Sequence, residues 1–359
     1  MKNHLSIIDI NDKRIIWSSS ELASLLHYLK NEQKLLGLTF DNNTLKLIDY
    51  DELFSPNRFE DFNFNTTIIL DRNLLIAARN FFNNRCAQDK VDRFFLMVLS
   101  YAMFTNSLID YNISIYEGGN NKFISAIDDL KKIRVLDNLS LDIILKLLFG
   151  EIKKIPENEF KKAKQLTKQI SEFLLRENYN KQLRLYKQTY PYFLKAASLL
   201  RDRNLSIKVK IKRFQSWIYD EYISMNIPII IVMHSILNEE NIMKNIFTNN
   251  KEKLLKNIRN ATWDATILSY MREQCTKNHG HFFIMATYDI KLVEMMKYCF
   301  VADEEIDNTF NENKIEIKKI IEQNNKIIKS KNRKNVVEER LNKSDIITEA
   351  LENELLNQI

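Results

Sequence analysis

Two aspartates follow short apolar runs that have the composition of buried strands. The first run is Thr66–Leu70 (TTIIL), and Asp71 follows it directly. The second run is Phe282–Thr287 (FFIMAT), and Asp289 lies two residues beyond it. Unbroken apolar and β-branched runs of this length predict parallel strands that are buried on both faces. Because open parallel sheets bind ligands at the carboxyl ends of their strands, both aspartates are candidate site residues.

Two further carboxylates are candidates for the same site. Asp264 falls in the first turn of a helix predicted to begin near Asn260, and Glu117 closes the segment 111–116 just before a pair of glycines. Taken singly, each acidic residue could cap a helix, begin a turn or lie at the surface. Several carboxylates that converge at one sheet edge repel one another unless a divalent cation neutralises them. Ligation by oxygen alone favours Mg²⁺ or Mn²⁺.

Three short strings give the sequence a resemblance to a known family. The strings are IILDRN at 68–73, NATWDA at 260–265 and IMATYD at 284–289. In this order they resemble the acidic motifs of the PIN-domain nucleases, which have a Rossmann-like parallel sheet and bind Mg²⁺ or Mn²⁺ through four acidic residues. The resemblance covers roughly residues 66–135 and 255–300, which is less than half of the chain.

The resemblance implies a reaction, a cofactor and a set of site residues. The reaction is hydrolysis of RNA phosphodiester bonds by an endoribonuclease, in which Mg²⁺ or Mn²⁺ lowers the pKa of bound water and stabilises charge on the phosphate. The products would carry a 5′-phosphate and a 3′-hydroxyl. The implied catalytic and metal-binding residues are Asp71, Glu117, Asp264 and Asp289, and the implied polar neighbours are Asn73 and Thr287.

Two features depart from the family pattern. The stretch between Glu117 and Asp264 is longer than a minimal PIN domain needs, so the helical block within it is predicted to be an insertion. The glycine pair after Glu117 can end its helix early, which leaves Asp110 or Asp128 as alternatives for the second metal ligand.

A strongly basic block occupies residues 152–213. It holds 17 Lys and Arg against 5 Asp and Glu, whereas the whole chain has a formal charge of +6. Such a concentration of charge is typical of a surface that binds a polyanion, although a solvated lysine face on a long helix would look the same. Tyrosines interleaved with the cations could stack on bases of single-stranded or looped RNA. The predicted nucleic-acid-binding residues are Lys161, Lys162, Lys164, Lys168, Lys181, Arg184 and Lys187, with Lys195 and the tyrosines Tyr179, Tyr186, Tyr190 and Tyr192 beside them.

Composition excludes several classes of protein. Only 5 of the 359 residues are glycine and 4 are proline, so no glycine-rich phosphate loop can be written and a β-sandwich is disfavoured. The predicted fold class is α/β, namely a helix-rich, Rossmann-like (PIN-like) parallel sheet with a large helical insertion and a small N-terminal β/α module. The predicted segments are 1–65 for that module, 66–150 for the first part of the PIN-like domain, 151–255 for the basic insertion, 256–303 for the second part and 304–359 for a charged helical tail.

Two rival functions remain open on the sequence. Arg272 and His279 have an Arg-x6-His spacing that resembles the motif of the HEPN ribonucleases, which act without metal. However, His279 lies between a predicted helix and a predicted strand, whereas that motif needs a continuous helix. The other rival is a non-catalytic helical scaffold that binds RNA or a protein partner and whose acidic residues are structural.

Location and partners are predicted from what the sequence lacks. No apolar run is long enough to span a bilayer, no signal-peptide pattern opens the chain, and the three cysteines are too far apart for a zinc motif. We therefore predict a cytoplasmic protein with no membrane contact. The charged tail is predicted to be either a helix that binds a protein partner or inhibitor or a partly disordered arm. PIN-like proteins include toxins, antiviral defence effectors and RNA-processing enzymes, and the extra module and insertion resemble a specialised effector more than a minimal toxin.

Overall fold

The computed structural model describes most of the chain, in two compact units. Unit 1 comprises Met1–Tyr179 and Gln274–Val293, and unit 2 comprises Asn180–Glu273 and Glu294–Ile359. The boundaries between the units fall within helices. The described residues are 6–10, 13–17, 24–29, 34–41, 44–48, 66–117, 123–167, 172–237, 246–278, 280–300, 322 and 333–359.

The described strands of unit 1 form one sheet of two strands and one of five. In chain order they are β1 (Ser6–Ile10), β2 (Lys13–Trp17), β3 (Leu35–Asp41), β4 (Thr44–Ile48), β5 (Thr66–Leu70), β6 (Leu108–Asp110) and β7 (Phe282–Ala286). β1 and β2 form an antiparallel hairpin. The larger sheet has the order β4-β3-β7-β5-β6, in which β5 is parallel to both β6 and β7. The β3–β4 hairpin extends it on the other side of β7, because β3 is antiparallel to β7.

The register of β5 and β7 brings their carboxyl ends to the same level. Thr66 pairs with Phe282 at one end, and Leu70 pairs with Ala286 at the other. Ile68, Ile69 and Leu70 are fully buried, as are their counterparts in β7 from Ile284 to Ala286. An apolar run without alternation is what a strand covered on both faces requires.

Helices account for most of unit 1. α1 begins directly after Asp71, and its apolar residues Leu74, Ala78 and Phe81 are fully buried. The side chain of Asp89 caps α2 by accepting a hydrogen bond from the backbone N–H of Asp92. The helices are α1 (Arg72–Asn84), α2 (Lys90–Phe104), α3 (Asn112–Glu117), α4 (Phe123–Leu136), α5 (Leu141–Leu148) and α6 (Glu157–Leu166), together with a helical segment at 24–29.

The helices of unit 2 surround an aromatic core. Tyr192, Phe214, Trp217 and Tyr222 are almost fully buried and lie ring against ring. Their large contact area supplies much of the hydrophobic burial of this unit. The helices that lie wholly or partly in it are α7 (Glu172–Arg201), α8 (Ile207–Asp220), α9 (Asn226–Leu237), α10 (Lys251–Lys277), α11 (Ile290–Phe300), α12 (Arg333–Asn342) and α13 (Ser344–Leu356).

The predicted α/β class is confirmed in its coarse form. The protein is helix-rich and contains three parallel strands, including the two that the apolar runs predicted. The pairing of β3 with β7 was not predicted, since it joins residues that are about 250 positions apart and local patterns carry no information on such pairing. The PIN-like identity and the predicted segment boundaries stay predictions. In the described part of the chain, no helix has the length and apolar content that crossing a membrane requires.

Candidate functional site

Asp71 lies at the carboxyl end of β5 and is 4% exposed. Its backbone N–H donates to the carbonyl of Ala286 at 2.9 Å, which extends the β5–β7 pairing by one residue. Its Oδ2 accepts hydrogen bonds from the hydroxyl of Thr287 at 2.9 Å and from the side-chain amide of Asn73 at 3.1 Å. These contacts hold the carboxyl group at the junction of two parallel strands.

Thr287 connects two of the predicted acidic residues. It is fully buried, and its backbone N–H donates to the carbonyl of Lys34 at 3.0 Å. Its hydroxyl donates to Asp71 and accepts from the backbone N–H of Asp289 at 2.9 Å. The hydroxyl therefore fixes the Asp71 carboxylate relative to the backbone of Asp289. The carboxylate of Asp289 also accepts from the backbone N–H of Lys291, which caps the start of α11.

Glu117 reaches the site from the short helix α3. Ser114, three residues earlier, donates its hydroxyl hydrogen bond to the carbonyl of Leu70 and so fastens the helix to the end of β5. Since residues three apart share a helix face, Glu117 lies on the same side as this contact. Its Oε2 is buried and has no hydrogen-bond partner among the described residues.

The acidic residues of unit 1 repel one another at this edge of the sheet. Burial, repulsion from Asp71 and only partial compensation by Arg72 raise the pKa of Glu117 to about 8. Burial also raises the pKa of Asp71, and repulsion from Asp289 adds to that effect while the hydrogen bond from Thr287 opposes it. Asp71, Glu117 and Asp289 are thus electrostatically coupled, with Asp71 common to both interactions.

This coupling does not amount to a closed metal cage. Within the described residues, no three His, Cys, Asp or Glu side chains are grouped closely enough to hold a metal ion between them. The arrangement offers carboxylate oxygens, one of which lacks a hydrogen bond, in an environment that disfavours negative charge.

Asp264 lies in unit 2, whereas the other three predicted metal ligands lie in unit 1. The prediction that it falls in the first turn of a helix is wrong, because α10 begins at Lys251 and Asp264 lies near its middle. Its neighbours Trp263, Ile267 and Leu268 are buried, and Asp264 itself is half-buried at the edge of that face.

The two alternatives for the second ligand lie in different settings. Asp110 ends β6 in register with Ile69, and its Oδ1 accepts from the backbone N–H of Asn112. Asp128 is exposed on α4, 3.9 Å from the ammonium group of Lys131. Of these two, Asp110 is the one at a strand end of the same sheet.

Lys34, Tyr288 and Phe94 form a contact next to Thr287 that the sequence analysis missed. The ammonium group of Lys34 lies 3.6 Å from the centre of the Tyr288 ring, and that ring lies 5.8 Å from the ring of Phe94. Cation–ring contacts of this kind are attractive. A lysine that precedes an edge hairpin gives no local signal of this position, because only the β3–β7 pairing creates it.

The predicted nucleic-acid-binding residues are divided between the units. Lys161, Lys162 and Lys164 are exposed on α6 in unit 1, whereas Lys181, Arg184 and Lys187 are exposed on α7 in unit 2. Lys164 lies 4.8 Å from the centre of the Phe160 ring. Lys168 and His279 lie outside the described residues.

The prediction that the α7 tyrosines offer faces to bases is wrong for those within unit 2. Tyr186, Tyr190 and Tyr192 are all buried. Tyr186 stacks on Trp263 with ring centres 4.5 Å apart, and the hydroxyl of Tyr190 donates to Glu352 at 2.7 Å. Tyrosines at helical spacing serve the core here because the helix that carries them is covered by its neighbours.

Comparison of the chain with models of protein families, with curated proteins and with solved structures found no match.

Proposed function

We propose that the protein is a metal-dependent nuclease of PIN-like type, which hydrolyses RNA phosphodiester bonds at the edge of the sheet where Asp71, Glu117 and Asp289 meet. The observation that carries this proposal is the state of Glu117. Its carboxyl group lies beside Asp71 with an oxygen that has no hydrogen-bond partner among the described residues, and its pKa is raised to about 8. Burial of mutually repelling carboxylates is unfavourable for folding and is typical of functional sites.

The donor set fits Mg²⁺ or Mn²⁺. Both ions prefer carboxylate oxygens, and Mg²⁺ commonly takes only one or two carboxylates while water fills its other positions. Asp71 and Glu117 would be the protein ligands, with Asp289 as a third acidic neighbour. A bound divalent ion would lower the pKa of a water molecule and offset charge that develops on the phosphate.

The surrounding residues would orient these groups. The hydroxyl of Thr287 and the amide of Asn73 both donate to Oδ2 of Asp71 and would keep that carboxylate in one rotamer. Arg72, whose positive charge opposes the raised pKa of Glu117, would moderate the repulsion between the acidic side chains. Groups positioned in this way before the substrate binds reduce the reorganisation needed in the transition state.

Cleavage of a labelled single-stranded RNA tests the proposal. We expect cleavage with Mg²⁺ or Mn²⁺, none with EDTA, and a loss of at least about a hundredfold in Asp71→Asn and Asp289→Asn. The matched control is Asp142→Asn, an exposed acid on α5 that should leave the rate unchanged. Undiminished metal-dependent cleavage by both site variants would overturn the assignment. Cleavage that persists in EDTA would favour the HEPN-like reading, and no cleavage under any condition would favour the scaffold.

A further inference from the structure

Three lysines of α7 form ion pairs within unit 2. The ammonium group of Lys181 lies 3.1 Å from Glu273, that of Lys187 lies 3.6 Å from Asp345, and that of Lys195 lies 3.5 Å from Glu354. The acidic partners belong to α10 and α13. A polyanion would have to compete with these carboxylates, so α7 is a weaker candidate for an external ligand than its charge alone predicts.

The next helix, α8, carries cations in a different state. Lys208, Lys212 and Arg213 are exposed, and none of them makes an ion pair with any residue that the structure describes. The helix has no acidic residue before Asp220. At 3.6 residues per turn, Lys208 and Lys212 lie one above the other and Arg213 lies beside them. Within the part of the chain that the structure describes, the outer face of α8 is therefore a positive surface without ion pairs.

Apolar groups are exposed on and near the same helix. Val209 is 40% exposed on α8, and Phe247 is 48% exposed in the segment that precedes α10. The guanidinium group of Arg203, four residues before α8, lies 5.9 Å from the centre of the Phe247 ring.

Phe247 is held in place by the end of α7. Arg201 donates to the carbonyls of Ile246 and Thr248 at 2.6 and 3.0 Å. These two bonds flank Phe247 on both sides and fix the backbone that carries its ring. The exposed Phe247 ring therefore has a fixed backbone and lies beside Arg203, which comes four residues before α8.

We propose that the outer face of α8, together with Arg203 and Phe247, binds single-stranded nucleic acid. Lys208, Lys212 and Arg213 would contact successive phosphates, and Phe247 would stack on an unpaired base. A positive track with an exposed aromatic platform is the combination that such ligands require, since every base has a face that can stack. The choice of a nucleic acid rests on the proposed function, but the surface lies in unit 2 and its binding is measured without cleavage.

Fluorescence anisotropy with a labelled single-stranded RNA of about 20 nucleotides, in EDTA, tests this surface. The variant is the triple substitution Lys208→Gln, Lys212→Gln and Arg213→Gln. We expect binding at least about tenfold weaker, and a slope of log K against log salt that is smaller by about two, since each phosphate contact contributes about 0.7. The matched control removes the same charge elsewhere by Lys90→Gln, Lys131→Gln and Lys297→Gln, three exposed lysines, and should bind within about twofold of the wild type.

The substitution Phe247→Ala distinguishes the contribution of base stacking to RNA binding from that of the positive charges. We expect roughly tenfold weaker binding with an unchanged salt slope, because a stacked ring releases no counterions. Circular dichroism melts of all variants confirm that they fold.

Two results would overturn the inference: an α8 triple variant that binds RNA like the wild type, or an equal loss of RNA binding in the control variant. Failure of Mg²⁺-dependent cleavage alongside normal RNA binding would overturn only the proposed function.

Discussion

Asp71 keeps a carboxyl group in an almost fully buried position because its neighbours partly compensate for the loss of water. Thr287 and Asn73 donate hydrogen bonds to its Oδ2, yet the pKa of Asp71 still rises because burial is the dominant effect. A structural aspartate that merely begins a turn would gain from exposure. The burial of Asp71 beside two other acidic side chains is the arrangement on which the proposed metal site rests.

Thr287 positions Asp71, and its substitution tests that role. Thr287→Val keeps the shape of the side chain but removes its hydroxyl. That hydroxyl donates to the carboxylate of Asp71 and accepts from the backbone N–H of Asp289. We expect a loss of about 1–3 kcal/mol in the free energy of unfolding, measured by urea denaturation. Cleavage should also fall by at least about tenfold. Thr287→Ser, which retains the hydroxyl, should restore most of both quantities. Full activity in Thr287→Val would show that Asp71 needs no such support.

We expect Glu117 to lower the stability of the metal-free protein and to contribute to metal binding. A carboxyl group whose pKa in the folded state is about 8, above the ordinary 4.5, destabilises the fold increasingly as the pH rises from 4.5 to 8. At neutral pH in EDTA, Glu117→Gln should therefore melt at a temperature about 5 °C or more above that of the wild type.

Added Mg²⁺ supplies the second half of the Glu117 measurement. It should raise the melting temperature of the wild type, because a ligand that binds only the folded state stabilises it, but not that of Glu117→Gln. Glu349→Gln on α13, an exposed glutamate, serves as the control and should respond like the wild type. A Glu117→Gln variant that is less stable than the wild type in EDTA would contradict the expectation that the buried Glu117 carboxylate destabilises the fold.

At the scale of elements, the site of unit 1 depends on the alignment of three of them. β5 and β7 end at the same level, which places Asp71 beside Thr287. α3 is fastened to the end of β5 by the hydrogen bond from Ser114 to Leu70. The three elements come from distant parts of the sequence, so the coupled carboxylates exist only once the sheet has formed.

In unit 2, the C-terminal helix α13 is an integral element. Leu351 and Leu355 are buried, and Glu352 and Glu354 accept hydrogen bonds from Tyr190 and Ser198 of α7. The sequence predicted a charged tail that binds a partner, and that partner stays a prediction. Two of the acidic residues of α13 accept hydrogen bonds from α7.

Truncation of a buried leucine tests the contribution of α13. Leu355→Ala should lower the free energy of unfolding by about 2–5 kcal/mol, because it removes fully buried methyl groups and leaves a cavity. Ile346→Ala on the same helix, at a side chain that is 69% exposed, should change it by less than about 0.5 kcal/mol. Equal effects in chemical denaturation would indicate that α13 is not packed as described.

For the molecule as a whole, we expect the free energy of unfolding to depend on pH through a buried histidine. His234 is 2% exposed in α9, and burial lowers its pKa from 6.5 to about 4. Below pH 6.5 the unfolded chain gains a proton that the folded protein accepts only near pH 4. Above pH 6.5 His234 is neutral and therefore adds no pH dependence to stability. As the pH falls from 6.5 towards 4, the free energy of unfolding decreases by up to about 3 kcal/mol.

The free energy of unfolding as a function of pH measures this effect. His234→Leu should flatten the decline between pH 6.5 and 4, because the side chain no longer titrates. His27→Leu, at an exposed histidine, should leave the decline as it is in the wild type. If both variants retain the full slope, other groups account for it.

The sequence by itself determined the strands 66–70 and 282–286 and the acidic residues at their ends. Unbroken apolar runs are local signals of burial. Asp71 follows the first run directly, and Asp289 lies two residues beyond the second. The coarse α/β class was predicted from the sequence as well.

Only the tertiary structure decided which of these residues meet. Asp71, Glu117 and Asp289 are coupled because the register of β5 and β7 and the anchor of α3 bring them together. Ion pairs between α7 and α13 likewise decided that Lys187 and Lys195 of α7 are compensated, whereas the exposed cations of α8 have no ion-pair partner among the described residues. The sequence specifies which side chains are charged. Whether two charged side chains repel or pair depends on the distance between them in the fold, and long-range packing sets that distance.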